Sequence, residues 1–138
     1  MVANVQTVAL VPVRGLWAGR IVSWVMAAFL LVDGAAKLFK PAPVVEGTVK
    51  LGYAESTIVP IGIVLIACTI LYLIPRTAVL GAILLTGYLG GAVATHVRAA
   101  DGVFPIVFGV TFGVLVWLGL YLRDARLREL VPLCTESR

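Results

Sequence analysis

The sequence predicts an all-α integral membrane protein, a four-helix transmembrane bundle, and three observations predict it. Of 138 residues, 61% are hydrophobic and only 13% charged, and the mean hydropathy is +1.06. Soluble domains are about half apolar and a quarter charged, and a small globule has too much surface per volume to bury such an excess. Residues 56–75, 77–97 and 102–122 carry no charged side chain. At about 1.5 Å per helical residue, runs of ~20 residues cross the roughly 30 Å of hydrocarbon, and backbone groups that cannot stay unpaired in lipid make such runs helical. A soluble enzyme is excluded. So are a disordered chain, which needs low hydrophobicity, and a nucleic-acid partner, because the basic residues are scattered rather than gathered in a stripe, despite a pI near 9.4.

The expected spans are about 17–39, 56–75, 77–97 and 103–122, in one domain covering residues 1–138. The first is the least simple. Its uncharged part, 21–32, is about 12 residues and too short to cross, whereas continuing through Asp33, Gly34 and Lys37 to Phe39 gives about 19. The mildly apolar segment ahead of it leads to no polar mature domain, so an uncleaved first helix is expected rather than a signal peptide. Pro41 and Pro43 close that helix. Loose alternation over 44–53 predicts a short interfacial helix in the longest connection. Pro60 falls in the first turns of the second span, Pro75-Arg76 makes a tight link to the third, and Asp101-Gly102 turns the chain into a fourth whose first turn suits Pro105.

Orientation follows from Lys and Arg. Four crossings place both termini on one side with Arg14, Arg20, Arg76, Arg123, Arg126, Arg128 and Arg138, against Lys37, Lys40, Lys50 and Arg98 on the other. Cations stay cytoplasmic. A multi-pass protein of the cell inner membrane is expected, with both termini cytoplasmic and the richer basic face beside anionic headgroups of the lipid bilayer.

Gly15/Gly19, Gly87/Gly91 and Gly109/Gly113 have the small-xxx-small spacing that lets helices approach closely. Packing within the bundle and a homodimer interface both need that approach. Trp17, Trp117, Tyr53, Tyr72 and Tyr121 suit an aromatic belt, while Trp24, set deeper, suits either the belt or the bundle interior. Cys68 and Cys134 form no CxxC pair and no metal-ligand spacing, so Cys68 reads as an apolar filler.

Polar residues at membrane depth carry the candidate site. Asp33 and Lys37, four apart, share a helix face with the acid first, the favourable order for an ion pair. Either alone in hydrocarbon costs from roughly 2.5 kcal/mol upward. They read as an intrabundle pair that fixes packing, or as the polar floor for a small amphipathic ligand such as a quinone headgroup. The ends of the first and third spans share a leaflet, which brings His96 to the same side. His96 reads as an interfacial histidine bonded to a carbonyl or to Asp33, or as a group that exchanges protons with a quinone carbonyl, since imidazoles titrate near neutral pH. Arg98 and Asp101 read as an interfacial pair. No metal is expected, because one histidine without a second His or Cys is too few ligands.

The run PRTAVLGAILLTGYLGGAVATHVRA from Pro75 resembles the third-helix pattern of the DoxX-like family of small bacterial four-helix membrane proteins. DGAAKLF, with Gly34 and Lys37-Leu38, is similar to that family's G-x-x-K-L ending, and WLGLYLRDARLREL resembles its closing segment. The resemblance runs from about Leu16 to Leu133. It implies a compact inner-membrane bundle, and a family named for a subunit associated with quinone-reducing thiosulfate oxidation, some members of which are linked to redox-stress complexes. The glycines of the third span are not a dinucleotide fingerprint, since no strand precedes them.

Three functions stand at this level. The first is a non-catalytic subunit or scaffold of a membrane complex, with no cofactor evident. The alternative is a quinone- or lipid-binding component of a membrane oxidoreductase, with Asp33, Lys37, His96 and Arg98 around the headgroup. The third is a small-solute carrier, disfavoured because one polar cluster offers no continuous path. An outward pocket, polar above and apolar below, separates the second from the first.

Overall fold

The computed structural model describes residues 12–130; Cys134 and Arg138 lie outside the described residues. Within them every regular element is helical: α1 (Val13–Phe39), α2 (Ala42–Lys50), α3 (Ile58–Leu73), α4 (Ala78–Ala99), α5 (Val103–Arg123) and α6 (Ala125–Leu130), with a 3-10 turn, Glu55–Thr57, leading into α3. Four are long and apolar enough to cross a membrane: α1, α3 with its leading turn, α4 and α5.

The sequence explains the boundaries. α1 begins earlier than residue 17 because Pro12, which cannot continue a helix backward, offers its carbonyl to the Gly15 and Leu16 N–H groups at 2.8 and 3.2 Å. It ends where Lys40 adopts a left-handed backbone ahead of Pro41. α2 starts after that proline and occupies the connection in which a short interfacial helix was expected. α4 stops at Ala100, also left-handed, and Gly102 at φ +96° turns the chain into α5. A side chain at Gly102 would strain that turn.

α1 packs against α3 and α5, and α4 packs against α3 and α5, so α1 and α4 face each other across the ring. Each seam contains a glycine at its closest approach. A Cβ on Gly34 would meet Ile66 and the Gly62 carbonyl (α1–α3), and one on Gly19 would meet the Gly119 carbonyl and the Arg123 nitrogen (α1–α5). On Gly81 it would strike the Tyr72 backbone (α3–α4), and on Gly109 the Val93 side chain (α4–α5). Lipid tails are as apolar as leucine, so such close van der Waals packing is what holds transmembrane helices together.

This redistributes the expected packing glycines. Gly19 and Gly109 sit in seams and Gly15 is half-buried, but Gly87, Gly91 and Gly113 have nothing within 4 Å of a would-be Cβ. The spacing finds smooth helix faces without saying which way they point.

The bundle is apolar outside and polar at points inside. Trp24, 62% exposed, faces outward together with Val25, Ile63, Ile83, Val107 and Val114, a belt that water would not tolerate and hydrocarbon does. Ser23, Thr69 and Tyr72 are buried. Tyr72 therefore departs from the aromatic belt: it accepts a hydrogen bond from Ser23 at 3.0 Å and donates to the Val116 carbonyl at 2.8 Å. Arg123 donates to the Tyr72 carbonyl and lies over its ring, and Arg128 caps the end of α5 by donating to the Tyr121 and Leu122 carbonyls.

Candidate functional site

At the end where α2 lies, the bundle holds a cavity of about 670 Å³ that opens to the outside. Two helices and the turn after the second supply its polar mouth. Asp33 and Lys37 stand one turn apart on α1, joined by a 2.5 Å hydrogen bond from Nζ to Oδ2, with Lys37 the more buried at 16% side-chain exposure against 42% for Asp33. His96 enters from the last turn of α4, and Asp101 from the turn that follows. His96 Nδ1 donates to Asp101 Oδ2 at 3.1 Å, which leaves Nε2 without a partner among the described residues. Asp101 Oδ1 accepts from Lys50 at 3.2 Å. That ammonium, with a further contribution from His96, holds the Asp101 carboxyl below the usual carboxylate range.

α2 roofs the cavity through Val44, Gly47, Thr48 and Leu51, positions on one face of a helix. Polar ties at both ends keep it there. Lys40 pairs with Glu55 at 2.6 Å, Lys50 pairs with Asp101, and Arg98 donates to the Leu51 carbonyl at 3.1 Å. The Tyr53 hydroxyl meets Thr95 Oγ1 at 2.9 Å.

Below the mouth the wall turns apolar. Leu30, Leu89 and Phe112 are buried there. Phe104, Phe108 and Phe112 rise along α5 at four-residue spacing and meet Phe29 of α1, with ring centroids 4.4 Å apart for Phe108 and Phe112 and 4.8 Å for Phe29 and Phe112. One side of the wall is low: Gly87 and Gly91 line the cavity, are exposed, and have open space where a Cβ would stand.

The structure thus brings Asp33, Lys37 and His96 to the lining of one cavity and leaves Arg98 outside it as a tie for α2. The partner of His96 is Asp101, not Asp33. Asp101 is shared between His96 and Lys50, so no Arg98–Asp101 pair forms. Among the described residues, no cluster of three His, Cys, Asp or Glu side chains could hold a metal ion. Sequence reasoning missed the phenylalanine wall, although the spacing of Phe104, Phe108 and Phe112 was visible. It also missed Tyr88, which lines the cavity and looks in sequence like one more apolar-run aromatic.

A family model described as the DoxX-like family matches residues 21–119, which takes in the whole mouth of the cavity. No curated protein and no solved structure matches the chain.

Proposed function

The chain is a multi-pass membrane protein that belongs to the DoxX-like family, and on that premise we propose that its cavity binds an amphipathic molecule from the bilayer, a quinone headgroup being the occupant that fits best. The observation that carries this is the polarity gradient of one open cavity. Asp33, Lys37, His96 and Asp101 ring its mouth, and buried leucine and phenylalanine form its depth. Ligand sites are commonly ~300–1,000 Å³, mostly apolar, with a few convergent polar groups. A tightly filled bundle would have favoured the scaffold reading instead.

The residues fit a quinone in their chemistry. A bound quinone supplies redox chemistry that takes up or releases two protons with two electrons. The chain's part is binding and proton handling. Asp101 accepts the Nδ1 proton of His96 and so fixes the imidazole with Nε2 toward the open volume, the arrangement by which a carboxylate orients a proton-exchanging histidine. Asp33 and Lys37 keep the opposite wall polar while neutralising each other's charge. The phenylalanine wall accommodates a flat ring or its tail.

We place the cavity on the outward side of the inner membrane, with both termini cytoplasmic. Lys37, Lys40 and Lys50 at the α2 end are each paired with an acid, whereas the arginines Arg76, Arg123, Arg126 and Arg128 gather at the α6 end. The positive-inside rule puts that end in the cytoplasm.

The test is titration of the detergent-purified chain with decyl-para-benzoquinone, alongside lipid extraction of the untreated preparation. His96→Ala should weaken binding roughly tenfold, as loss of a hydrogen bond to a charged or polarised group does, and should lower the thermal midpoint of the empty protein only slightly, by the lost bond to Asp101. Wild-type protein that neither binds the probe nor carries extractable quinone overturns this reading and returns the polar groups to an assembly role.

A further inference from the structure

We propose that the Tyr88 hydroxyl is a second hydrogen-bond donor to the bound headgroup, set deeper than His96, so that the site selects rings with an acceptor oxygen at each end. The proposal rests on the ligand-binding reading above.

Among the described residues the hydroxyls of Tyr88 and Tyr121 make no hydrogen bond, and of these two Tyr88 lines the cavity. Tyr72 is bonded to Ser23 and to the Val116 carbonyl, and Tyr53 to Thr95. The Tyr88 hydroxyl has no hydrogen-bond partner among the described residues, although the side chain is half-buried and lines the cavity beside Leu30, Leu89 and Phe112. Its oxygen also keeps contact with open volume, since the fully enclosed side-chain polar atom left without a partner among the described residues is Arg123 Nε. A phenol in apolar surroundings is ordinarily satisfied. Because Tyr88 lines the cavity, an occupant of that volume can supply the missing partner.

Spacing then narrows the ligand. Tyr88 and His96 lie on one helix and line one cavity, eight residues apart, an axial offset of about 12 Å. The bond to Asp101 holds the His96 imidazole at the mouth, so Tyr88, about two turns nearer the helix N-terminus, is the deeper donor. A para-quinone bridging two donors needs them roughly 11 Å apart, two hydrogen-bond lengths plus the width of the ring between its oxygens. A single-headed amphiphile, such as a fatty acid or an alkyl phenol, reaches the mouth alone and leaves Tyr88 unpaired.

The experiment compares two probes on two proteins. Tyr88→Phe should weaken decyl-para-benzoquinone binding about 3- to 10-fold, the loss of one neutral hydrogen bond. It should leave para-decylphenol, which has one oxygen, bound as in wild type. The thermal midpoint of the empty protein should stay level or rise, because no protein partner is lost. Unchanged quinone affinity in Tyr88→Phe, with the His96→Ala defect still present, overturns the role of Tyr88 and leaves the binding reading standing. Equal weakening of both probes means the ring shapes the cavity and its hydroxyl makes no bond, and a lowered midpoint means the hydroxyl has a protein partner; either result overturns the proposal. Wild-type protein that binds neither probe removes the binding reading and this one with it.

Discussion

At the scale of single residues, Asp33 and Lys37 carry an asymmetry that their spacing does not reveal. The four-residue interval was enough to expect an ion pair, because it places both on one helix face. From sequence either charge looked equally costly alone, whereas in the structure Lys37 is the more buried of the two. Removing the partner of the more buried charge costs more, since exposed pairs are worth up to about 1 kcal/mol while stranding a buried charge costs about 3–5. Asp33→Ala should therefore lower stability by about 2 kcal/mol, and Lys37→Ala by about 1, in chemical denaturation in detergent. The opposite order would show that the Lys37 ammonium reaches interfacial water after all. The partner of His96 was hidden for a different reason. Asp101 lies past the end of α4, and the left-handed residue Ala100 swings it back toward the imidazole, a turn that helical periodicity does not describe.

Among the elements, the glycines show where pattern reading ends. Small-residue spacing marks helix faces that permit close approach, yet the chain has more such faces than seams. Gly119 sits against Ser23 and Tyr72 within the α1–α5 seam, while Gly90 has nothing within 4 Å of a would-be Cβ. Identical substitutions at the two should have opposite signs. Gly90→Ala removes backbone freedom from the unfolded chain and should stabilise by about 0.5–1 kcal/mol. Gly119→Ala brings a methyl group to 2.7 Å from Ser23 Oγ and 3.2 Å from the Ser23 backbone nitrogen, so the hydroxyl must turn away from Tyr72 or the seam must widen, at about 1–3 kcal/mol. Thermal midpoints of both variants in one detergent check the contrast. Equal shifts would mean that the α1–α5 seam yields more readily than its contacts imply. α2 was legible only as a loose alternation; that it roofs a cavity depends on Lys50 meeting Asp101 and Arg98 meeting the Leu51 carbonyl, contacts between residues some fifty apart in the chain.

For the whole molecule, one physical quantity made the fold readable, namely the length of each uncharged run set against the thickness of hydrocarbon. Four helices satisfy it. The cavity obeys no such rule, because its volume is what remains after four seams have closed, and no single stretch of sequence encodes a remainder. Orientation lies between these cases: it is a property of the entire charge distribution, and it rests on the count of Lys and Arg at each end. Single-cysteine variants measure it directly once Cys134 is replaced by serine, because Cys68 is buried within α3 and shielded from a membrane-impermeant thiol reagent. Glu46→Cys on the exposed face of α2 should label in intact cells, and Glu129→Cys on α6 only after permeabilisation. Reversed labelling would put Asp33, His96 and the cavity mouth on the cytoplasmic side. It would leave the bundle and its binding chemistry untouched, but any protons exchanged through His96 would then come from the cytoplasm, and a redox partner would have to be sought there.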